Sequence, residues 1–296
     1  MSDRSRRRPT SYDAPVRILL AHDLSPASDR ATALISAASW PAGTTVRVVS
    51  SPIGIGLGLS SLASLSEARA RVQEVRSAIM LAHEDVAADL LEAGVAVETT
   101  IVHGRPERAI LLDADEFAAD LIVVGARQQG SLAATLLGSV SRAVVANATC
   151  SILVARDSTA SRVVLAVDDS APAKLATAMV AAWPRFAAAE ILVVGVGDAA
   201  DHRDGRSDAA VDAALGELTT MGRTVQGEIR HGDAAIEVVA AARAWGADVV
   251  AIGAHGEPFL RRAILGSVAG TVIDGVSASV LVARPTRDAD PDGPES

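Results

Sequence analysis

One segment of this chain is written twice. Asp120-Leu-Ile-Val-Val-Gly-Ala leads to Gly138-Ser139-Val140, and Asp248-Val-Val-Ala-Ile-Gly-Ala leads to Gly266-Ser267-Val268. Gly253 and Gly266 follow Gly125 and Gly138 at one common offset of 128 residues. His103-Gly104 and His231-Gly232 keep that offset, as do Cys150 and Ala278, which open Cys-Ser-Ile-Leu-Val-Ala-Arg and Ala-Ser-Val-Leu-Val-Ala-Arg. Nearer the start of each half the offset is 145, between Asp23 and Asp168, within Leu-Leu-Ala-His-Asp-Leu-Ser and Val-Leu-Ala-Val-Asp-Asp-Ser. The difference, 145 − 128 = 17, places an insertion in the first half between residues of about 50 and 95. A sequence that repeats at domain length is one domain duplicated, and both copies must fit the same fold.

Each copy alternates short apolar runs with segments of helical period. In the first, strands are expected at Val16 to His22, Thr45 to Ser50, Val95 to Val102, Leu121 to Val124 and Ser151 to Ala155. Ser25-Pro26 reads as an N-cap followed by Pro at the first helical position, opening a helix to about Ala38. Glu67 to Ala93 has apolar residues at helical spacing and predicts one long amphipathic helix capped by Gly94. Helices follow at Pro106 to Ala119 and Gly138 to Ala146. The second copy repeats the order, with strands near Val163 to Val167, Ile191 to Val196, Thr224 to Ile229, Val249 to Ile252 and Ser279 to Ala283. Five apolar strands alternating with helices imply an α/β fold, a doubly wound parallel sheet in each half. The strand order 3-2-1-4-5 places the switch point between the first and fourth strands, where the recurring polar residues then meet.

Between the second strand and the long helix, Pro52 to Ser64 contains Gly54, Gly56 and Gly58. It imitates a dinucleotide fingerprint, but its third glycine falls one residue short and it follows the wrong strand. A flap is the expected role. Residues 1–14, with Arg4, Arg6, Arg7 and Arg8 but no apolar run behind them, read as a solvated arm and not as a signal peptide. The acidic, Pro-rich 286–296 reads as a disordered tail.

Composition narrows the function. A net charge of −9 argues against a general nucleic-acid surface. No run is apolar enough for a membrane span, and the cytoplasm is the expected location. Cys150 is the only cysteine, which excludes an intrachain disulfide and a Cys-rich metal site. It is expected as a buried small hydrophobe.

The stretch Asp248 to Val268 carries the chemistry. A buried strand ends at Gly253, Gly256 follows, and Gly266-Ser267 opens a helix. A strand, then glycines, then a helix start is the sequence form of an anion cradle built from backbone amides. Two separated glycine points suit a polyphosphate. The first copy keeps Gly125, Gly138 and Ser139 but has Gln128 where the second glycine belongs, with Gly130 two residues late.

Both halves resemble the universal stress protein family, whose ATP-binding members carry Gly-x2-Gly-x9-Gly-Ser/Thr. The resemblance spans residues 15–157 and 161–285 and is complete in the second half at Gly253, Gly256, Gly266 and Ser267. It implies an adenine nucleotide α-hydrolase-like fold and two domains paired through their fifth strands as a pseudo-dimer. It also implies ATP binding, with Asp168 near the adenine and ribose and Val196 packing on the base. Gly253, His255, Gly256, Gly266, Ser267 and Val268 would surround ribose and phosphates, with Mg²⁺ or Mn²⁺ as a companion of the phosphates. By position the first half offers Asp23, Gly125, Arg127, Gly138, Ser139 and Val140. Gln128 predicts weaker or altered binding there, partly offset by Arg127 pairing with phosphate.

Plainer readings stand beside these. Asp23 and Asp168 also suit the start of a helix. His103 and His231 precede a glycine and read as turn residues. No Gly-x4-Gly-Lys-Ser/Thr loop is present, Lys174 is the single lysine, and no catalytic grouping recurs. The balance is against an enzyme. The resemblance implies a nucleotide-dependent stress-response regulator acting through a protein partner, with a homodimer of whole chains left open. The alternatives are a slow ATP hydrolase and a dimerising scaffold with vestigial sites.

Overall fold

The computed structural model describes residues 14–38, 40–53, 65–126, 137–197, 205–254 and 265–285. The first half runs β1 (Arg17–Ala21), α1 (Pro26–Ser36), β2 (Thr45–Ser50), α2 (Leu65–Glu92), β3 (Ala96–Ile101), α3 (Pro106–Phe117), β4 (Leu121–Gly125), α4 (Ser139–Asn147) and β5 (Ser151–Ala155). The second runs β6 (Arg162–Val167), α5 (Ala171–Ala182), β7 (Glu190–Gly197), α6 (Arg206–Thr220), β8 (Thr224–His231), α7 (Ala234–Trp245), β9 (Val249–Gly253), α8 (Ser267–Gly275) and β10 (Ser279–Ala283). A 3₁₀ turn, Pro184–Phe186, follows α5.

The helix ends have local causes. Ser25 closes a capping box with Ser28, and Pro26 supplies a preset φ at the first position of α1. Asp233 caps α7 by accepting from the amide of Ile236, and Gly246 ends it in the left-handed conformation. The position 128 residues earlier is Ala118, which takes the same left-handed conformation at φ 53° and ends α3 at Phe117, before the expected Ala119. The insertion is largely a longer helix: α2 has 28 residues against 15 in α6. The expected flap falls mostly on residues outside those described.

The sheet order is β3-β2-β1-β4-β5-β10-β9-β6-β7-β8. Each half therefore has the expected 3-2-1-4-5 order, parallel throughout. The halves are fused into one ten-stranded sheet by an antiparallel pairing of β5 with β10, Leu153 opposite Leu281. That reversal sends the carboxyl ends of the two strand sets to opposite edges of the sheet. Both faces are covered, so the strands are apolar on both sides. Ile18, Leu20, Val46, Val163 and Leu165 face α1, α2, α5 and α6, with Leu34, Val86, Val180 and Leu218 opposite them. The intervening Leu19, Val49, Ile122, Val164 and Val250 face α3, α4, α7 and α8.

The junction is held by a contact that recurs 128 residues on, Arg156 to Ile273 O and Arg284 to Val145 O. After β5, fully buried Arg156 donates to Ile273 O at 2.6 Å, at the C-terminus of α8, and to Ala278 O at 2.8 Å, just before β10. After β10, Arg284 donates to Ala148 O and Val145 O, at the C-terminus of α4. Each guanidinium thus satisfies at least one carbonyl that a helix end leaves unpaired. The backbone amides of the same arginines donate to Ser279 Oγ at 3.0 Å and Ser151 Oγ at 3.1 Å. Burial pushes the Arg156 guanidinium down to about 10 and lowers that of Arg284 as well. Few aromatics are available, and Trp40 and Trp183 meet edge to face across the halves, ring centres 5.5 Å apart.

Candidate functional site

At the end of β6, exposed Asp168 accepts from the amide of Ser170 at 3.0 Å, and Ser170 Oγ accepts from the amide of Ala173 at 3.3 Å. Asp23 does the same in the first half, accepting from Ser25 N at 3.2 Å and from Ser25 Oγ. Both carboxylates therefore start helices, the plainer of the two roles expected of them. Both also stand exposed at the switch point.

β6 and β9 are neighbours, with Leu165 opposite Ala251, so the loops after them converge. Gly253 lies against the first turn of α5. A Cβ there would stand 2.8 Å from Ala173 N and 3.0 Å from Pro172 C. On Gly125 it would meet Ala27 C and O at 2.6 Å. These two glycines let a helix close on the strand end, a packing role that the sequence motif did not distinguish from phosphate approach.

The helix starts differ in how they are finished. α1 and α5 are capped by serine side chains. α4 and α8 begin after Gly138 and Gly266, which bring no side-chain cap. The amides of Ala254 and Gly266 are spent inside the protein, on Ala283 O at 2.9 Å and Ala254 O at 2.8 Å. This second bond pins the start of α8 to the end of β9. The first-turn amides of α8, from Ser267 to Ala269, have no intrahelical acceptor and carry the positive end of the helix dipole. Ser267 is exposed and Val268 half-buried, as are Ser139 and Val140 at the start of α4. A Cβ on Gly138 would meet nothing within 4 Å.

The structure thus brings Asp168, Gly253, Gly266, Ser267 and Val268 to one switch point, and Asp23, Gly125, Gly138, Ser139 and Val140 to the other. Val196 lies one strand further out, near the end of β7, half-buried on the face that packs α7 and α8. His255, Gly256, Arg127 and Gln128 lie outside the described residues. His103 lies just after edge strand β3, whereas His231, expected as a turn residue, is the last residue of edge strand β8, opposite Gly197; each precedes a glycine, at φ +100° and +139°. Asp168 also borders a cavity of about 200 Å³ between α5 and α6, floored by Val167, Ala210 and Ala214 and edged by Lys174 and Arg206. Lys174 pairs with Asp169 at 2.6 Å. This donor set fits a nucleotide: uncapped helix-start amides for phosphate, an exposed carboxylate for hydroxyls, and an apolar position beside it. Among the described residues no group of three or more His, Cys, Asp or Glu is placed to hold a metal ion. No helix among them is long and apolar enough to cross a membrane. Burial pushes the Cys150 thiol up to about 12, as suits a packed hydrophobe.

A pair of doubly wound sheets joined through their fifth strands, each with a glycine-led helix start at its switch point, defines a tandem α/β protein of two like domains. The model of the universal stress protein family matches residues 16–156 and again 159–284, and the chain belongs to that family. It is similar to universal stress protein Rv2005c of Mycobacterium tuberculosis, 27% identical over 230 residues, covering 72% of this chain and 76% of that one. A universal stress protein of Thermus aquaticus is 34% identical over 142 residues, 47% of this chain and 97% of its own length. Among solved structures, a universal stress protein from Archaeoglobus fulgidus superposes with a TM-score of 0.69 at 20% identity, covering 90% of this chain and 98% of that chain.

Proposed function

We propose that the second domain binds ATP at the β6/β9 switch point and that the protein acts as a nucleotide-dependent regulator in a stress response. One observation carries the reading: Asp168, Gly253 and the uncapped start of α8 meet at one strand edge. In this reading Asp168 takes the ribose hydroxyls and Val196 packs on the base. The first-turn amides from Ser267 and Val268 hold the phosphates, with His255 and Gly256 completing the loop. Bound ATP would bring the phosphate charge, and Mg²⁺ or Mn²⁺ would accompany it. The first domain offers Asp23, Gly125, Arg127, Gly138, Ser139 and Val140 to a weaker site, and signalling passes to a protein partner.

Mass spectrometry of ligand released from the purified protein tests this reading. ATP or ADP retained by the wild type and lost in Asp168→Ala is the expected result. A protein that carries no nucleotide and ignores added ATP leaves only the scaffold. ADP accumulating over hours, abolished by Asp168→Ala, marks the slow hydrolase instead.

A further inference from the structure

The two domains also differ at a corner that the nucleotide reading does not use. Arg17 pairs with Thr45 as Arg162 pairs with Glu190, so the offset of 145 residues holds along β1 and β2. His22 therefore stands where the second domain has Val167, and Ser50 where it has Gly195. Past the insertion, the offset of 128 sets His83 against Val211. The contacts agree with this equivalence. Ser50 Oγ lies 2.8 Å from His83 Nε2, and a Cβ added to Gly195 would meet Val211 Cγ2 at 2.8 Å. An apolar contact in one domain is a hydrogen-bonded one in the other.

The hydrogen positions follow from the partners. Ser50 Oγ is 2.6 Å from His22 O, a pure acceptor, so the hydroxyl donates there and accepts from His83 Nε2–H. His22 Nε2 is 3.2 Å from Asp29 Oδ1, again an acceptor, so Nε2 carries the hydrogen and Nδ1 is a bare lone pair. That Nδ1 is buried without a partner. Both imidazoles are nearly inaccessible, His22 at 3% and His83 at 4% exposure. With both rings neutral the corner buries no charge there, whereas a further proton on His22 would be a buried charge with an unmet N–H.

The charged groups facing the pair are Asp29 on α1 and Asp23 after β1, both near His22, while the His22 imidazole opposes protonation of His83 across the corner. β2 contributes only the Ser50 hydroxyl. Burial outweighs the two carboxylates and lowers His22, and burial with the His22 ring drives His83 down to about 4. A folded-state value below the unfolded 6.5 means stability that is full above that pH and lost as pH falls toward about 4.

We propose that the corner of β1, β2, α1 and α2 is a proton-responsive device, by which mild acid loosens α2 from the first domain while the second domain keeps its packing. The equivalent corner of the second domain has Val167, Gly195 and Val211 in place of the two histidines and the serine, and its ionisable neighbours Asp168, Asp169, Lys174 and Arg206 edge the cavity between α5 and α6. The acid response is independent of nucleotide.

Amide hydrogen exchange read segment by segment, as protection at about pH 7.5 and about pH 5, tests the device. Protection in α2 and β2 is expected to fall on the order of tenfold or more at the lower pH, with α6 and β7 unchanged. The triple variant His22→Val/Ser50→Gly/His83→Val installs the second domain's own residues and is expected to abolish the difference. Equal losses in both domains, or no loss in α2 of the wild type, overturn the proposal even if the variant does not fold. Acid sensitivity that survives in a folded triple variant overturns it too.

Discussion

The β5–β10 junction and the carboxyl-end corners of the two domains have fared differently under duplication. At the junction the copies agree in the polar residues that hold it, Ser151 with Ser279 and Arg156 with Arg284, each arginine at the C-terminus of the other domain's last helix, and differ only among small apolar residues such as Ile152 and Val280. At the corners they part, with His22, Ser50 and His83 in one and Val167, Gly195 and Val211 in the other. A two-fold contact holds each residue to its own counterpart, because a change on one strand meets an unchanged partner on the other. The corners touch only their own domain and are free to differ. The junction makes the molecule symmetric, and the corners let the halves respond to different things.

The largest effect tests the symmetry. Arg156→Ala and Arg284→Ala each strand two buried carbonyls and leave a void, and each is expected to cost about 3 kcal/mol of unfolding free energy in urea titrations. Costs that differ severalfold would break the two-fold description. Gly253→Ala and Gly125→Ala come next, at about 2 kcal/mol, because α5 and α1 must move off the strand ends. Gly125→Ala should cost more, since its Cβ meets backbone at 2.6 Å against 2.8 Å. The smallest effect runs the other way. Ala118→Gly gives the first domain the residue that the second has at Gly246, relieving a left-handed alanine, and should stabilise by about 1 kcal/mol in the same titration.

Much of this was legible in the sequence because it was said twice. The strand order follows from the need to bring Asp168 and the Gly253 loop together, and β5 and β10 were bounded to the residue by their repeated heptapeptides. The arginines that close those heptapeptides were visible too, but nothing local says that a terminal Arg will be buried on a distant helix end. The motif glycines were legible as glycines and not by purpose. Gly125 and Gly253 serve helix packing, and only coordinates separate that from ligand approach. His22 and His83 were missed for the opposite reason: they do not repeat, and they lie 61 positions apart in the chain. The available signal was Leu-Leu-Ala-His set against Val-Leu-Ala-Val, a polar residue in one copy of an apolar run.

Calorimetric titration of the nucleotide-free protein with ATP, repeated on Gly266→Ala, is the most direct test of the second-domain site. The account predicts saturable binding in the wild type and an affinity at least about tenfold weaker in the variant, whose added methyl sits where α8 opens toward the phosphates. Equal affinity in the two proteins, or no heat of binding in either, would contradict it.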